Sequence, residues 1–112
     1  MNTARLNKQG HILIEQTYLA NTPWLRLRGL LGRPPLADNQ GMLILPCNSV
    51  HTIGMTYPLD IVYLDEKNRV LKITENLSPW RGSGCKGATK VLELVAGNAS
   101  KKNIKQGDIL SW

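Results

Sequence analysis

The apolar residues of this chain fall mostly in short runs, and only one stretch repeats with a helical period. His11-Ile12-Leu13-Ile14-Glu15 is an aliphatic, partly β-branched run and predicts a first strand ending near Tyr18. The period then changes. Thr22 is suited to cap a helix beginning at Pro23, where a missing N–H costs nothing, and Trp24, Leu27, Leu30 and Leu31 recur at helical spacing. That stripe is expected to pack inward, with Arg26 and Arg33 off it. Gly32, Pro34 and Pro35 predict the stop, because glycine accepts a left-handed cap and proline cannot extend the ladder.

Beyond the polar turn at 37–40, Gly41 to Leu45 is wholly apolar, as expected of a strand covered on both faces, and Pro46 closes it. The stretch from Cys47 to Met55 mixes Val50, Thr52 and Ile53 with Asn48, Ser49 and Gly54, which suits an extended or bent segment better than a helix. Leu59 to Leu64 is apolar on both faces, Asp65-Glu66-Lys67-Asn68 supplies turn chemistry, and Val70 to Leu77 returns, so a hairpin is predicted. Alternation places Leu71 and Ile73 on one side of the returning strand and Lys72 and Thr74 on the other. A loop at 78–84, a strand from Val91 to Val95, a polar connection from Gly97 to Lys105 with room for one helical turn, and a short strand from Ile109 to Trp112 complete the chain. The expected fold class is α+β, mainly β: a compact antiparallel, barrel-like curled sheet of about six short strands, with one α-helix after the first strand. The 112 residues fit a single domain, 1–112, with its core beginning at about residue 9.

Composition narrows the functional classes. The core must rest on Leu, Ile, Val and Met, since there is no Phe and only three Trp and three Tyr. Fourteen Lys and Arg against eight Asp and Glu give a net charge of +6, which favours anionic partners. The basic residues are spread along the chain, though; only Arg26, Arg28 and Arg33 cluster, with Lys101, Lys102 and Lys105 as a weaker group. No stacking aromatics are interleaved with them, so nucleic acid is disfavoured as a partner. No transmembrane segment is expected, since no run approaches the roughly 20 apolar residues a span needs. The residues from Met1 to Gly10 lack the apolar centre of a secretion signal, so the chain reads as cytoplasmic, with the envelope as the alternative if a signal has been trimmed. Cys47 and Cys85 form no C-x-x-C, and two reduced thiols are the default expectation.

Arg28-Gly29-Leu30-Leu31-Gly32-Arg33, Gly41-Met42-Leu43, Pro58-Leu59-Asp60-Ile61-Val62-Tyr63-Leu64-Asp65, Val91-Leu92-Glu93-Leu94-Val95-Ala96-Gly97 and Gly107-Asp108 together resemble domain of unknown function family 192, also called uncharacterised protein family 0127. The resemblance runs from about Gln9 to the end. It implies a compact, mainly β domain with a helix after the first strand, and it implies no activity. Many relatives carry Trp-Met-Lys-Asn-Thr just before their Pro-Leu-Asp. Here the corresponding residues are His51-Thr52-Ile53-Gly54-Met55-Thr56-Tyr57, and Val50-His51-Thr52 marks a different branch, to which any role of that Trp and Lys does not transfer.

Three constellations carry candidate chemistry. Cys47, His51 and Met55 recur every four residues and combine thiolate, imidazole and thioether, a donor set for copper or zinc. On a strand, four residues span about 13 Å, too far to share an ion, so the metal reading requires a bend. Cys47 or Cys85 with His51 and Asp60 supplies the groups of a Cys-His nucleophile system, although no protease-like signature surrounds either Cys. Asp60 and Glu93 each interrupt an apolar run and need partners if buried; Arg28 and Arg33 are the natural ones. Trp80 and Arg81, in a loop flanked by Pro79, Gly82 and Gly84, are residue types that anchor contacts.

The leading expectation is a small noncatalytic binding or interaction module, using His51, Asp60, Trp80, Arg81 and Arg28 to hold a small ligand or a protein partner, with no cofactor. The alternatives are a Cys-His-dependent enzyme using Cys47, His51 and Asp60, and a soft-metal protein using Cys47, His51 and Met55. No phosphate-cradling glycine loop, zinc-protease motif or nucleotide fingerprint is present.

Overall fold

Eight strands and two short helices make up the computed structural model, which describes residues 1–112. In chain order they are β1 (Thr3–Lys8), β2 (His11–Ala20), α1 (Pro23–Arg28), β3 (Gln40–Ile44), β4 (Ser49–His51), β5 (Leu59–Leu64), β6 (Val70–Leu77), β7 (Gly82–Gly84), β8 (Lys90–Val95) and α2 (Asn98–Lys101). Six strands form one sheet in the order β1-β2-β3-β8-β5-β6, and β4 and β7 pair separately. The mainly β class and the six-stranded sheet match expectation. No ladder joins β1 to β6 at the two ends of this order, so the sheet is not closed. The C-terminal segment, expected as a strand, makes only isolated bridges, Ser111 to Asn7 and Ile109 to Arg69.

Three expectations are corrected. The sheet is not purely antiparallel: β2 and β3 run parallel, with Tyr18 opposite Met42, because α1 and the turn after it form a crossover long enough to return the chain to the same end. The helix follows the second strand rather than the first. Thr3–Lys8 is itself an edge strand that buries fully only Leu6, too sparse a pattern to register, and the packed core therefore starts before residue 9. On β6, Leu71 and Ile73 pack on opposite faces, because the register slips between Tyr63 and Leu64 and the extra residue of that bulge flips the alternation.

Alternation along the central strands builds two apolar layers, one on each face of the sheet. Leu43, Val62, Leu64, Leu92 and Leu94 join Leu6, Ile14, Ala99, Ile104 and Leu110 on one face, under α2 and the C-terminal segment. Met42, Ile44, Leu59, Ile61, Tyr63 and Val91 join Leu30, Leu36, Met55 and Ala88 on the other, under the turn after α1 and the β4–β7 pair. All six residues of β5 are buried. The Tyr63 hydroxyl donates to Ser83 Oγ at 2.7 Å and so ties β7 to the sheet beneath it.

Asp60 fastens the first layer. Its carboxylate accepts from the Asn76 N–H through Oδ1 and from the Gly97 and Ala99 N–H groups through Oδ2, each at 2.9 Å, joining β5, β6 and the start of α2. Replacing it by Ala strands three donors in a dry site. Asp60→Ala is expected to lose about 3 kcal/mol or more of unfolding free energy in urea titrations, at an unchanged denaturant slope. A loss below about 1 kcal/mol would show that the carboxylate is not a fastening.

Candidate functional site

The helix that sequence patterning placed in the core has its apolar stripe in solvent. Thr22 caps it as expected, its hydroxyl accepting from the Leu25 N–H at 3.2 Å, with Pro23 at the first position. The helix stops at Arg28, and Gly29 turns the chain at φ 54°. Leu30 and Leu31 then leave the helical register and turn inward, while Trp24 and Leu27 remain 66% and 72% exposed. Arg28 and Arg33 stabilise this stop: their Nε groups donate to the Leu31 and Gly29 carbonyls at 3.1 and 3.0 Å. Neither arginine pairs with Asp60 or Glu93, contrary to expectation.

Between this turn and the segment from Ile44 to Met55 lies a cleft of about 340 Å³, with Glu93 of β8 at its floor. That volume sits at the small end of ligand pockets. Leu30, Leu31, Ile44, Val50 and Met55 give it apolar walls, and Arg26, Arg28, Cys47 and His51 supply the polar groups. The segment bends as the metal reading required: β4 is extended, Thr52 to Met55 closes a turn, and Gly54 sits so near Leu31 that a Cβ there would lie 3.0 Å from its Cδ2.

Glu93 is the feature that sets this cleft apart. It lies at the middle of the sheet, opposite Met42 on one side and Ile61 on the other, and only 5% of it is exposed. Its carboxyl takes no hydrogen bond and joins no ion pair, and burial alone pushes its pKa up to about 7. Burial raises the neighbouring Cys47, Tyr57 and Tyr63, and the Glu93 charge adds a smaller push in the same direction.

The structure gathers Cys47, His51, Met55 and Arg28 on the cleft wall. Asp60 is on the opposite face of the sheet and its carboxylate is occupied by backbone amides, so it does not meet His51. Trp80 and Arg81 are close to the cleft segment without lining the cleft. Buried Thr52 bolts their loop down: its backbone N–H donates to the Arg81 carbonyl at 2.8 Å, its hydroxyl donates to the Ser78 carbonyl at 2.7 Å, and its carbonyl accepts from the Trp80 N–H at 3.0 Å. Trp80 itself is left 64% exposed. Cys85 meets the same segment, its N–H donating to the Asn48 carbonyl at 3.0 Å, and both cysteines are free thiols.

Two arrangements bear on the alternatives. Burial, the largest influence on Cys47, raises its pKa, which holds it as a thiol rather than an activated thiolate. His51 accepts from the Ile53 N–H through Nδ1 at 3.3 Å, so its ring is oriented by a turn and not by a carboxylate. No three His, Cys, Asp or Glu side chains stand close enough together to hold one ion. Sequence reasoning marked Glu93 as an acid inside an apolar run but did not place it in a site. Arg26, Leu27 and Val50 were marked as a basic cluster, a helix stripe and a branch signature and not as a site, because only the fold brings the crossover against the segment after β3.

The chain belongs to domain of unknown function family 192, described as Uncharacterized ACR, which matches residues 4–112. It is similar to a crystal structure of a protein of unknown function from Novosphingobium aromaticivorans DSM 12444, at 29% identity and a TM-score of 0.85, covering 98% of this chain and 85% of that one. It is also similar to a Sinorhizobium meliloti 1021 structure described as a "putative transcription regulator", at 26% identity and a TM-score of 0.81, covering 96% and 89%. No curated protein matches the sequence. No helix is long and apolar enough to cross a membrane.

The raised Glu93 has a definite sign in stability. The unfolded chain loses this proton near 4.5 and the folded chain near 7, so between those values the folded state binds more protons and stability falls as pH rises. Glu93→Gln is expected to be more stable than the parent at pH 8, by up to about 3 kcal/mol, with the advantage fading below pH 4.5. Equal urea midpoints for the two proteins at pH 8 would show that the carboxyl is solvated. For Cys47, alkylation by iodoacetamide at pH 8 is expected to be slower than that of free cysteine, measured by peptide mass mapping; a faster rate would restore the nucleophile reading.

Proposed function

We propose that this protein is a noncatalytic binding module whose ligand site is the cleft between α1 and the Cys47–Met55 segment. The observation that carries the reading is Glu93. A carboxyl group at the centre of a sheet, without a donor, costs several kcal/mol when ionised, and folds discard such groups unless something else uses them. Here it faces a cavity with apolar walls and a few convergent polar groups, the arrangement of a small-molecule site. Binding is favoured over catalysis because the cleft's one thiol is held protonated and no acid backs its histidine.

Of the residues expected to bind, His51 and Arg28 belong to this site, with Arg26, Val50 and Glu93 added. Trp80 and Arg81 form a neighbouring rim through Thr52, and Asp60 serves the fold. The positive residues are not gathered into a stacking groove, so a small ligand is preferred to nucleic acid as the partner.

The test is a titration of the 15N-labelled protein with three six-carbon probes, hexan-1-ol, hexanoate and hexylamine. At least one is expected to move the amides of Leu27, Val50, His51, Met55 and Glu93 together and saturably. Shifts scattered over the surface for all three would overturn the reading.

A further inference from the structure

The cleft has an acid at its floor and a cation at its mouth. Glu93 lies at the floor with no donor in reach, and Arg26 stands at the mouth with a guanidinium whose single contact, to the Pro46 carbonyl, is 3.4 Å long. Arg28 is less free, because its Nε holds the Leu31 carbonyl. Between floor and mouth the walls are aliphatic: Leu30, Ile44, Val50 and Met55.

Each part restricts the occupant. A buried carboxylate needs hydrogen-bond donors and compensating charge; an ammonium group provides both, with three donors on one positive centre. A hydroxyl would supply one donor and no charge, and a carboxylate would bind only where Glu93 keeps its proton. The arginines at the mouth, together with the chain's net charge of +6, oppose a ligand that is merely cationic. A cation that carries an anionic group at its outer end meets no such opposition, and Arg26 then becomes its partner. The apolar walls require the two charges to be separated by several methylene groups, since an α-amino acid would bring both to the same end.

We infer that the cleft takes an elongated small-molecule zwitterion of the ω-amino acid class: a primary ammonium seated on Glu93, an aliphatic body against Leu30, Ile44, Val50 and Met55, and a carboxylate held by Arg26. This rests on the reading of the cleft as a ligand site and adds the chemistry of the ligand. The ammonium converts Glu93 to its ionised form, so binding at neutral pH expels a proton from the carboxyl.

The probe is 6-aminohexanoate, titrated into the intact chain by calorimetry at pH 7 in two buffers of different ionisation enthalpy. It is expected to bind about tenfold or more tighter than hexylamine, hexanoate or hexan-1-ol, with net release of protons to the buffer. Glu93→Gln keeps the shape of the side chain and removes its charge. It is expected to weaken 6-aminohexanoate at least about tenfold and to abolish proton release, which a purely structural role would not do. Arg26→Gln is expected to bring 6-aminohexanoate down to the level of hexylamine. Nα-acetyl-lysine methylamide, which has the ammonium without a carboxylate, tests a protein lysine as the alternative occupant; binding as tight as 6-aminohexanoate would overturn the zwitterion assignment. Equal binding of hexanoate or hexan-1-ol at the cleft, or unchanged affinity in Glu93→Gln, would overturn it too while leaving the cleft reading intact. Failure of every probe to shift the cleft amides would remove both.

Discussion

Strands β5 and β8 lie side by side in the interior of the sheet and are covered on both faces, and each carries one acidic side chain into that dry layer. Everything distinctive about the molecule follows from how those two acids are treated. Asp60 projects to the face where the chain brings three backbone donors to it, and there it joins the β5–β6 hairpin to the start of α2 at one point. Glu93 projects to the other face, where nothing is brought. The same desolvation that makes Asp60 a strong fastening makes Glu93 a liability, and the liability sits at the floor of the cleft.

The cleft exists because of the crossover. A parallel pair of strands needs a long connection, and here that connection is a helix of under two turns followed by a reversal at Gly29. Too short to lay its own stripe on the sheet, the helix leaves Trp24 and Leu27 outside and sends Leu30 and Leu31 in as the wall. The opposite wall is the segment from Cys47 to Met55, held in place by β7 and by the Thr52 bolt. Both walls are therefore short elements and turns laid over the main sheet, the usual division between scaffold and binding surface.

Much of the fold was legible in local pattern. The apolar runs at 41–45, 59–64 and 91–95 are the buried strands, the turn chemistry at 65–68 is a turn, and Thr22-Pro23 starts the helix, because each depends on nearest neighbours and solvent alone. The edge strand at Thr3–Lys8 escaped because an edge needs little hydrophobicity when its partner supplies the hydrogen bonds. The bulge at Leu71 escaped because it is a property of two strands rather than of one. The site was half legible. Cys47, His51 and Met55 were marked and do converge, since the segment bends as a shared surface requires. Asp60 and Glu93 were both marked as acids in need of arginine partners, and they part company, since neighbouring strands can send side chains to opposite faces and only the register decides which.

By itself, then, the sequence determined the central buried strands and where the helix starts, and marked two acids inside apolar runs, because burial and periodicity are written into each segment's own composition. The tertiary structure alone decided that β2 and β3 run parallel, that the helix stripe faces water, and that one acid is satisfied while the other faces an open cleft. The reason is physical: a side chain's partners are set by strand pairing across the sheet, and pairing joins residues whose identities carry no mark of one another.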